Sequence, residues 1–274
     1  MRRPLLLVCA LALACGNGSK APRQLVILHT NDEHSHLLGA GPEQDDFPPP
    51  TTAGTGAIKG GISRRSAVLT AQRAAAAAAG AATLTLSAGD NMMGTLTQIA
   101  VTAAPDFRLM GKTYLNYDVT TLGNHEFDYG PGALAGILQA AAASGDPIPA
   151  IVSTNIHFSG KVGALDDTSL SALFDDGGNN PSAPIHRTLV VVTSNGLRVG
   201  FIGIMGADAA AVAPLKAPTY FSRAAGQTDD NRIASLAQLF DDVQPWVDRL
   251  RRDQQVDLVV TLSHGGLDPD PARQ

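Results

Sequence analysis

Short apolar runs alternate along the chain with segments of helical periodicity. The runs are continuous and rich in leucine and β-branched residues, a pattern typical of strands that are buried on both faces. Because these runs are short and the segments between them are longer, the order predicts strands that alternate with helices. The predicted strands are Gln24–His29, Thr83–Ser87, Val119–Leu122, Ala150–Thr154, Leu189–Thr193, Arg198–Met205 and Leu258–Ser263.

Three intervening segments are predicted to be helices, namely Ser63–Ala79, Pro131–Ala143 and Asn231–Arg252. Ser63 is placed to cap the first helix, and Gly80 is placed to end it. Pro131 suits the first turn of the second helix, where its missing N–H costs nothing. The loop-like stretches Gly39–Ala57 and Asp166–Ser182 are not interpreted as domain linkers, because the pattern of strands resumes on both sides of each. The sequence therefore predicts one α/β layered domain.

Asn195 and Gly196 separate the runs Leu189–Thr193 and Arg198–Met205. An Asn-Gly pair between two strands indicates a β-hairpin, because both residues tolerate a positive φ. A hairpin pairs its strands antiparallel. The sequence therefore favours two packed sheets of mixed direction between helices over a purely parallel, doubly wound sheet.

The first residues have the features of an export signal. A positive start at Met1–Arg3 precedes the apolar stretch Leu5–Leu13, which is too short to span a bilayer, so residues 1–14 are predicted to be a signal peptide. Ala14-Cys15-Gly16 resembles the lipobox of bacterial lipoproteins, in which the cysteine receives the lipid. This resemblance implies a lipidated tether over residues 15–23, an exported domain over residues 24–274, and a lipoprotein that faces the periplasm or the cell exterior. A plain secretory signal is the alternative.

Charge and cysteine content narrow the choice of partners. The formal net charge of −5 and the absence of an obvious basic face argue against a nucleic acid polymer as the partner. Cys9 lies inside the predicted signal, which leaves Cys15 as the only thiol of the mature chain and excludes an internal disulfide. The expected partners are a small molecule and, through the lipid, a membrane.

Ligand-type side chains follow directly after four of the predicted strands. They are Asp32, His34, Asp90, Asn124, His125, Asp128 and His264. In layered α/β folds the carboxyl ends of neighbouring strands converge, so these side chains are expected to meet in one crevice. Carboxylate, imidazole and amide groups suit Mn, Zn, Fe or Co, and a shared carboxylate such as Asp90 can bridge two ions.

The motifs ILHTND, KGGISRR, SAGD, TLGNHEFDYG and LSHGG occur in this order between Leu25 and Gly266. Together they resemble the calcineurin-like metallophosphoesterases, and in particular the bacterial 5′-nucleotidase branch of that superfamily. The resemblance implies a layered αββα sandwich with mixed sheets. It also implies hydrolysis of a small-molecule phosphoester, with a nucleotide favoured, by in-line attack of a metal-bound hydroxide on phosphorus.

The resemblance further implies a role for each side chain. One divalent ion would be held by Asp32, His34 and Asp90, and a second by Asp90, Asn124 and His264. His125 would not bind metal but would stabilise developing charge and protonate the leaving oxygen, with Asp128 orienting its ring. Glu126 is expected to make a structural hydrogen bond.

Several other polar residues are expected to have ordinary roles. The D-x-H spacing favours His34 over His36 as a ligand, and His29 is expected in the core or behind the ligands. His157 and His186 are expected to be solvated. Arg64 and Arg65 are expected to be surface or packing residues at a helix start rather than phosphate ligands.

The sequence departs from the family at its C-terminal end. Family members carry a further GHxH-type motif that supplies one more ligand to each metal, whereas no histidine follows His264 here. A truncated chain that lacks the last strands is the favoured interpretation, and a degenerated site is the other. Either would weaken metal binding and turnover. The alternative function is a non-catalytic lipoprotein that binds metal or phosphate, against which the intact His125–Asp128 pair argues.

Overall fold

The computed structural model describes residues 22–39, 59–159, 167–177, 180, 182–213, 215–222 and 236–265. The predicted signal peptide, Cys15 and most of the predicted tether lie outside the described residues. Within the described residues, no helix is both long and apolar enough to cross a membrane.

Strands and helices follow one another along the described chain. The strands are β1 (Leu25–Thr30), β2 (Ala82–Ser87), β3 (Val119–Thr120), β4 (Ala150–Val152), β5 (Ile156–His157), β6 (Phe174–Asp175), β7 (Ile185–His186), β8 (Thr188–Val192), β9 (Arg198–Met205), β10 (Tyr220–Phe221) and β11 (Leu258–His264). The α-helices are α1 (Ile62–Ala78), α2 (Pro105–Met110), α3 (Gly130–Ala142), α4 (Thr168–Ser171), α5 (Ala207–Val212) and α6 (Leu236–Arg252). Two 3-10 helices span Leu96–Ala103 and His125–Phe127.

The strands form two main sheets. The larger sheet has the order β1-β2-β3-β4-β7-β6, and all of its pairs are parallel. The smaller sheet has the order β11-β9-β8, in which β9 pairs parallel with β11 and antiparallel with β8. Parallel pairing brings the carboxyl ends of β1, β2 and β3 to one edge of the larger sheet.

The two sheets pack face to face with helices on their outer faces. Leu86, Val119 and Val152 of the larger sheet contact Phe201 and Leu262 of the smaller sheet in one buried cluster. A second cluster packs α3 against the larger sheet, and a third packs α6 against the smaller sheet. The predicted αββα layering is therefore confirmed. Mixed strand direction is found in the smaller sheet, whereas the larger sheet is parallel throughout.

One detail of the predicted helices is wrong, and another lies outside the described residues. Ser63 does not cap α1, because it lies inside the first turn, and the N-cap is Gly61, which makes no side-chain capping bond. The N–H of Ile62 instead donates to the Leu37 carbonyl at 2.9 Å, so a neighbouring loop satisfies this donor. The third predicted helix is described only from Leu236, and residues 231–235 lie outside the described part.

The predicted hairpin joins β8 to β9, which pair antiparallel, through the turn that contains Ser194, Asn195 and Gly196. The Thr193 N–H donates to the Leu197 carbonyl at 2.8 Å, and the Gly196 N–H donates to the Thr193 carbonyl at 2.9 Å. Gly196 has a φ of +81°, whereas Asn195 is not among the residues with positive φ. Only the glycine therefore adopts the left-handed conformation, as in a type I turn that ends in a β-bulge.

Asp106, in the first turn of α2, is a buried carboxyl group. It is 6% exposed, and among the described residues its Oδ1 has no hydrogen-bond partner. Burial raises the pKa of Asp106 to about 6. The folded protein therefore holds this proton more tightly than the unfolded chain, so the resulting stabilisation is complete below about pH 4 and is lost as the pH rises through about 6.

We expect Asp106→Asn to stabilise the protein increasingly as the pH rises. The wild type should lose up to about 3 kcal/mol of unfolding free energy through this group, at about 1.4 kcal/mol per pKa unit, whereas asparagine does not titrate. Urea unfolding at about pH 4.5 and 7.5 measures the difference, with the exposed Asp253→Asn as the control. A difference between Asp106→Asn and wild type that is independent of pH would contradict the raised pKa.

Candidate metal centre

The loops that follow β1 and β2 are joined by their backbones. The N–H groups of Asp32, His34 and Ser35 donate to the carbonyls of Gly89, Asp90 and Asn91 at 3.1, 3.0 and 3.0 Å. Since β1 and β2 are parallel neighbours, both loops leave the same edge of the sheet. The pairing brings the His34 Nε2 to 3.7 Å from Asp32 Oδ1 and to 3.9 Å from Asp90 Oδ2.

Three ligand-type residues in these loops have left-handed backbones. The φ angles of Asp32, His34 and Asp90 are +51°, +45° and +52°. Such a conformation costs a non-glycine residue roughly 1–2 kcal/mol, and it persists only where the surrounding contacts impose it. Residues of this kind concentrate at functional sites, and the strain here falls on the side chains that the sequence singles out.

His264, at the carboxyl end of β11, completes the cluster from the other sheet. Its Nε2 lies 3.2 Å from Asp90 Oδ2 and 3.1 Å from Asn124 Oδ1, and its Nδ1 lies 2.9 Å from the Ala88 carbonyl oxygen. All three partners are oxygen atoms that accept hydrogen bonds. A proton or a metal cation is therefore needed between Nε2 and the oxygens that face it. The Ala88 carbonyl fixes the ring through Nδ1, as is usual for metal-binding histidines.

The charges of Asp90 and His264 support each other. Burial acts to lower the pKa of His264, but the hydrogen bond to Asp90 and its charge outweigh burial, and the net change is upward. For Asp90, burial acts to raise the pKa, and the contacts with His264 and the His125 N–H turn the net change downward. A metal ion would take the place of the shared proton, so binding of metal is expected to release protons.

Two groups of side chains are spaced to hold an ion. Their donor atoms lie within 4.8 Å of one another, and Asp90 belongs to both. The groups are Asp32, Asp90 and His264, and His34, Asp90 and His125. Donors of this chemistry fit a divalent cation, and a carboxylate shared by two groups is the arrangement that a pair of ions requires.

His125 lies beside the cluster and is held by Asp128. Its Nδ1 is 2.9 Å from Asp128 Oδ2, and its backbone N–H donates to Asp90 Oδ1 at 2.8 Å. Partial burial acts to lower the pKa of His125, but the hydrogen bond and charge of Asp128 raise it, and the net change is upward. With Nδ1 engaged, Nε2 is the nitrogen that can face a bound molecule. Its imidazole is 5.0 Å from that of His34, centroid to centroid.

Glu126 is buried and supports the loops after β2 and β3. It accepts hydrogen bonds from the backbone N–H groups of Gly123, Asn91 and Asp90 at 2.6, 2.8 and 3.1 Å. This is the structural hydrogen bonding expected from the sequence. At Gly123 a side chain is excluded, because a Cβ there would collide with the Asp90 carboxylate. Glu126 and Gly123 therefore fix the position of Asp90.

A cavity of about 760 Å³ opens at this edge between the two sheets. It is lined by Asp32, Asp90, Asn124 and His264, together with two polar residues that the sequence did not single out, Asn31 and Asp208. Asn31 donates to the Asp32 carboxylate. Its position next to Asp32 in the TND sequence is the feature from which its place at the site could have been predicted. Asp208 lies in the first turn of α5, a helix of six residues that periodicity did not predict.

The remaining histidines lie outside the cluster. The ring of His36 has one hydrogen-bond partner within the described part of the chain, the Glu33 carbonyl oxygen at 3.1 Å from Nδ1, so the structure brings His34 rather than His36 to Asp32. His186 is buried and His157 is bonded to Asp242 at 2.7 Å, so the expectation that both are solvated is wrong. His29 is exposed on β1 and lines the cavity, so it does not lie in the core.

The known proteins that are similar to this chain include nucleotide phosphoesterases and 5′-nucleotidases. No family profile matches the chain. The chain is 24% identical over 255 residues to the trifunctional nucleotide phosphoesterase protein YfkN of Bacillus subtilis, and 32% identical over 120 residues to a 5′-nucleotidase of Vibrio cholerae. These matches cover 90% and 44% of the chain, and 14% and 19% of the relatives, so the chain spans only a small part of their length.

A solved structure agrees in fold. The 5′-nucleotidase precursor of Thermus thermophilus aligns with 87% of the chain and 36% of its own length, at a TM-score of 0.56 and 26% identity. The two stacked sheets, with the donors gathered at their carboxyl edge, match the metallophosphoesterase fold of this neighbour. The chain is thus similar in sequence and in fold to 5′-nucleotidases and calcineurin-like phosphoesterases, a class of proteins that use divalent metals.

Proposed function

We propose that this domain is a two-metal phosphoester hydrolase of the 5′-nucleotidase type. The observation that carries the proposal is the convergence on Asp90, which follows β2, of side chains from three other strand ends, those of β1, β3 and β11. His264 Nε2 lies 3.2 Å from its Oδ2 and His34 Nε2 lies 3.9 Å from the same oxygen. A structural role alone does not require carboxylate, imidazole and amide donors from two sheets around one buried carboxylate.

We assign Asp32, His34 and Asp90 to one ion, and Asp90, Asn124 and His264 to the other. This division differs from the two spaced groups described above, and it is supported by the 3.7 Å from His34 Nε2 to Asp32 Oδ1 and the 3.1 Å from His264 Nε2 to Asn124 Oδ1. The chemistry of these donors suits Mn, Zn, Fe or Co. When bound, such ions polarise phosphoryl oxygens and lower the pKa of coordinated water toward neutrality. Asn31 and Glu126 would hold Asp32 and Asp90 in place through the hydrogen bonds described above.

His125 would act on the leaving group. Asp128 holds its Nδ1 at 2.9 Å and raises the pKa of the ring, which favours the protonated form, and the Nε2–H of that form would donate to an oxygen departing from phosphorus. The side chain is 39% exposed, which leaves it accessible to a bound molecule. A site that merely bound metal or phosphate would have no use for this pair.

The charges in the cavity bear on the substrate. Asp32, Asp90 and Asp208 all line it, so a phosphate dianion would be repelled unless cations were bound. Its volume of about 760 Å³ lies in the range of small-molecule sites. Relatives are described as acting on nucleotides, and we propose a nucleotide or a similar small phosphoester as the substrate. Cys15 would attach the domain to a membrane after export.

Turnover of p-nitrophenyl phosphate tests the proposal. We expect hydrolysis that requires added Mn²⁺, is abolished by EDTA and returns when Mn²⁺ is added in excess over the chelator. Asp253→Asn, an exposed substitution away from the cavity, should behave as the wild type. Binding of Mn²⁺ with no hydrolysis in the presence of any of the four metals would contradict catalysis and favour the non-catalytic alternative.

A further inference from the structure

Glu33 lies between the two candidate ligands of the loop after β1, and its side chain points away from them into the protein. Its side chain is 9% exposed. One carboxylate oxygen, Oε1, accepts from the Thr30 hydroxyl at 2.6 Å and from the Tyr117 hydroxyl at 2.9 Å. The other oxygen, Oε2, pairs with the guanidinium of Arg65. A buried carboxylate with a cation and two hydroxyls as partners is well satisfied.

The partners of Glu33 come from three different elements. Thr30 ends β1, Tyr117 precedes β3, and Arg65 lies in the first turns of α1. Tyr117 is 4% exposed and belongs to a buried cluster with Leu28 of β1 and Leu69 of α1, so these partners are themselves fixed. Arg65, which the sequence left as a surface or packing residue, has a side chain only 17% exposed.

The loop needs such an anchor because its backbone is strained on both sides of Glu33. Asp32 and His34 flank it with φ angles of +51° and +45°, and Ser35 follows at +54°. Three left-handed residues in a run of four would relax if only backbone hydrogen bonds to the loop after β2 opposed them. Thr95 Oγ1 also donates to the Ser35 carbonyl at 2.8 Å, and Glu33 adds an attachment to the core on the opposite side.

We propose that Glu33, with Arg65 as its charge partner, is a positioning residue that holds Asp32 and His34 in the geometry required for metal binding. The inference rests on the proposed metal centre. Glu33 touches no ion or substrate, and it acts through the two neighbouring residues. Without Glu33, part of the free energy of metal binding would be used to order the loop, so the metal affinity would fall. Residues that support metal ligands typically contribute about 10–100-fold to metal affinity.

The test uses Glu33→Ala, Glu33→Gln and a matched control, Asp118→Ala. Asp118 is also a partly buried carboxylate near an arginine of α1, Arg73, and it accepts from the Thr85 N–H at 2.7 Å. It is the chain neighbour of Tyr117, but among the described hydrogen bonds its side chain makes none to the loop after β1. We expect Glu33→Ala to weaken Mn²⁺ binding about 10–100-fold by calorimetry. Glu33→Gln, which can still accept from the two hydroxyls, should recover part of the loss. Asp118→Ala should lower stability with no change in Mn²⁺ affinity.

Hydrogen exchange in the absence of metal separates this inference from the proposed function. The amides of Asp32, His34 and Ser35 should exchange faster in Glu33→Ala and at the wild-type rate in Asp118→Ala. Unchanged loop exchange, or Mn²⁺ affinity in Glu33→Ala within twofold of wild type, would overturn the positioning role. A wild-type chain that binds no Mn²⁺ would instead overturn the proposed metal centre, while loop exchange would still decide whether Glu33 positions the loop.

Discussion

Asp90→Asn is expected to lower Mn²⁺ affinity by about 10²-fold or more and to remove phosphoesterase turnover. Asp90 is 3% exposed and is the one carboxylate that both candidate ion groups share. Removal of one partner from a buried charged set costs about 3–5 kcal/mol, and each 1.4 kcal/mol is a tenfold change in affinity. Asparagine has the same shape as aspartate and can still accept a hydrogen bond from the His125 N–H. The loss of Mn²⁺ affinity would therefore measure the contribution of the negative charge of Asp90.

Titration calorimetry with Mn²⁺ measures this effect, and Asp253→Asn serves as the control because that carboxylate is exposed and far from the cluster. Circular dichroism should confirm that Asp90→Asn remains folded. An Asp90→Asn protein that binds Mn²⁺ as the wild type does would contradict the role of Asp90 as the shared ligand.

His125→Asn is expected to reduce turnover of 5′-AMP by about 10²–10⁴-fold, the range typical of a lost general acid. The structure places His125 beside the cluster, with its ring held by Asp128 at 2.9 Å and its Nε2 free to face a leaving oxygen. The loss should be much smaller for p-nitrophenyl phosphate, because nitrophenolate departs without needing a proton. Mn²⁺ affinity should stay near the wild-type value.

Steady-state kinetics with both substrates, together with Mn²⁺ titration, separates the two roles open to His125. Asp128→Asn should produce a smaller loss with the same dependence on the leaving group, since Asp128 acts through the ring. An equal loss with both substrates would contradict general acid catalysis. A large loss of Mn²⁺ affinity would make His125 a ligand, as its grouping with His34 and Asp90 permits.

The sequence predicted the parts of the fold that local patterns encode. β9 matches its apolar run from Arg198 to Met205, β2 and β11 differ from theirs by one residue at one end, and β1 is displaced by one residue. These runs are short for a helix and rich in β-branched residues, which favours strands. Since ligand-type residues follow β1, β2 and β11 directly, the sequence was sufficient to predict that they would meet at the carboxyl ends of the strands.

The parts that were missed depend on tertiary contacts. β5, β6, β7 and β10 have two residues each and are strands only because a neighbour pairs with them. The buried state of His186, on β7 between β4 and β6, follows from that pairing and has no local signal. The same holds for Asp208, whose place in the cavity depends on the packing of a short helix, and for Glu33, whose partners lie far apart in sequence.

The number of ions that the chain binds is the most direct test of the metal centre. Calorimetric titration of the metal-depleted wild type with Mn²⁺ should give two ions per chain, with protons released on binding because Asp90 raises the pKa of His264 in the absence of metal. Asp90→Asn should lose both ions together. A wild-type chain that binds no Mn²⁺, or binding that is the same in Asp90→Asn, would contradict a centre built around Asp90.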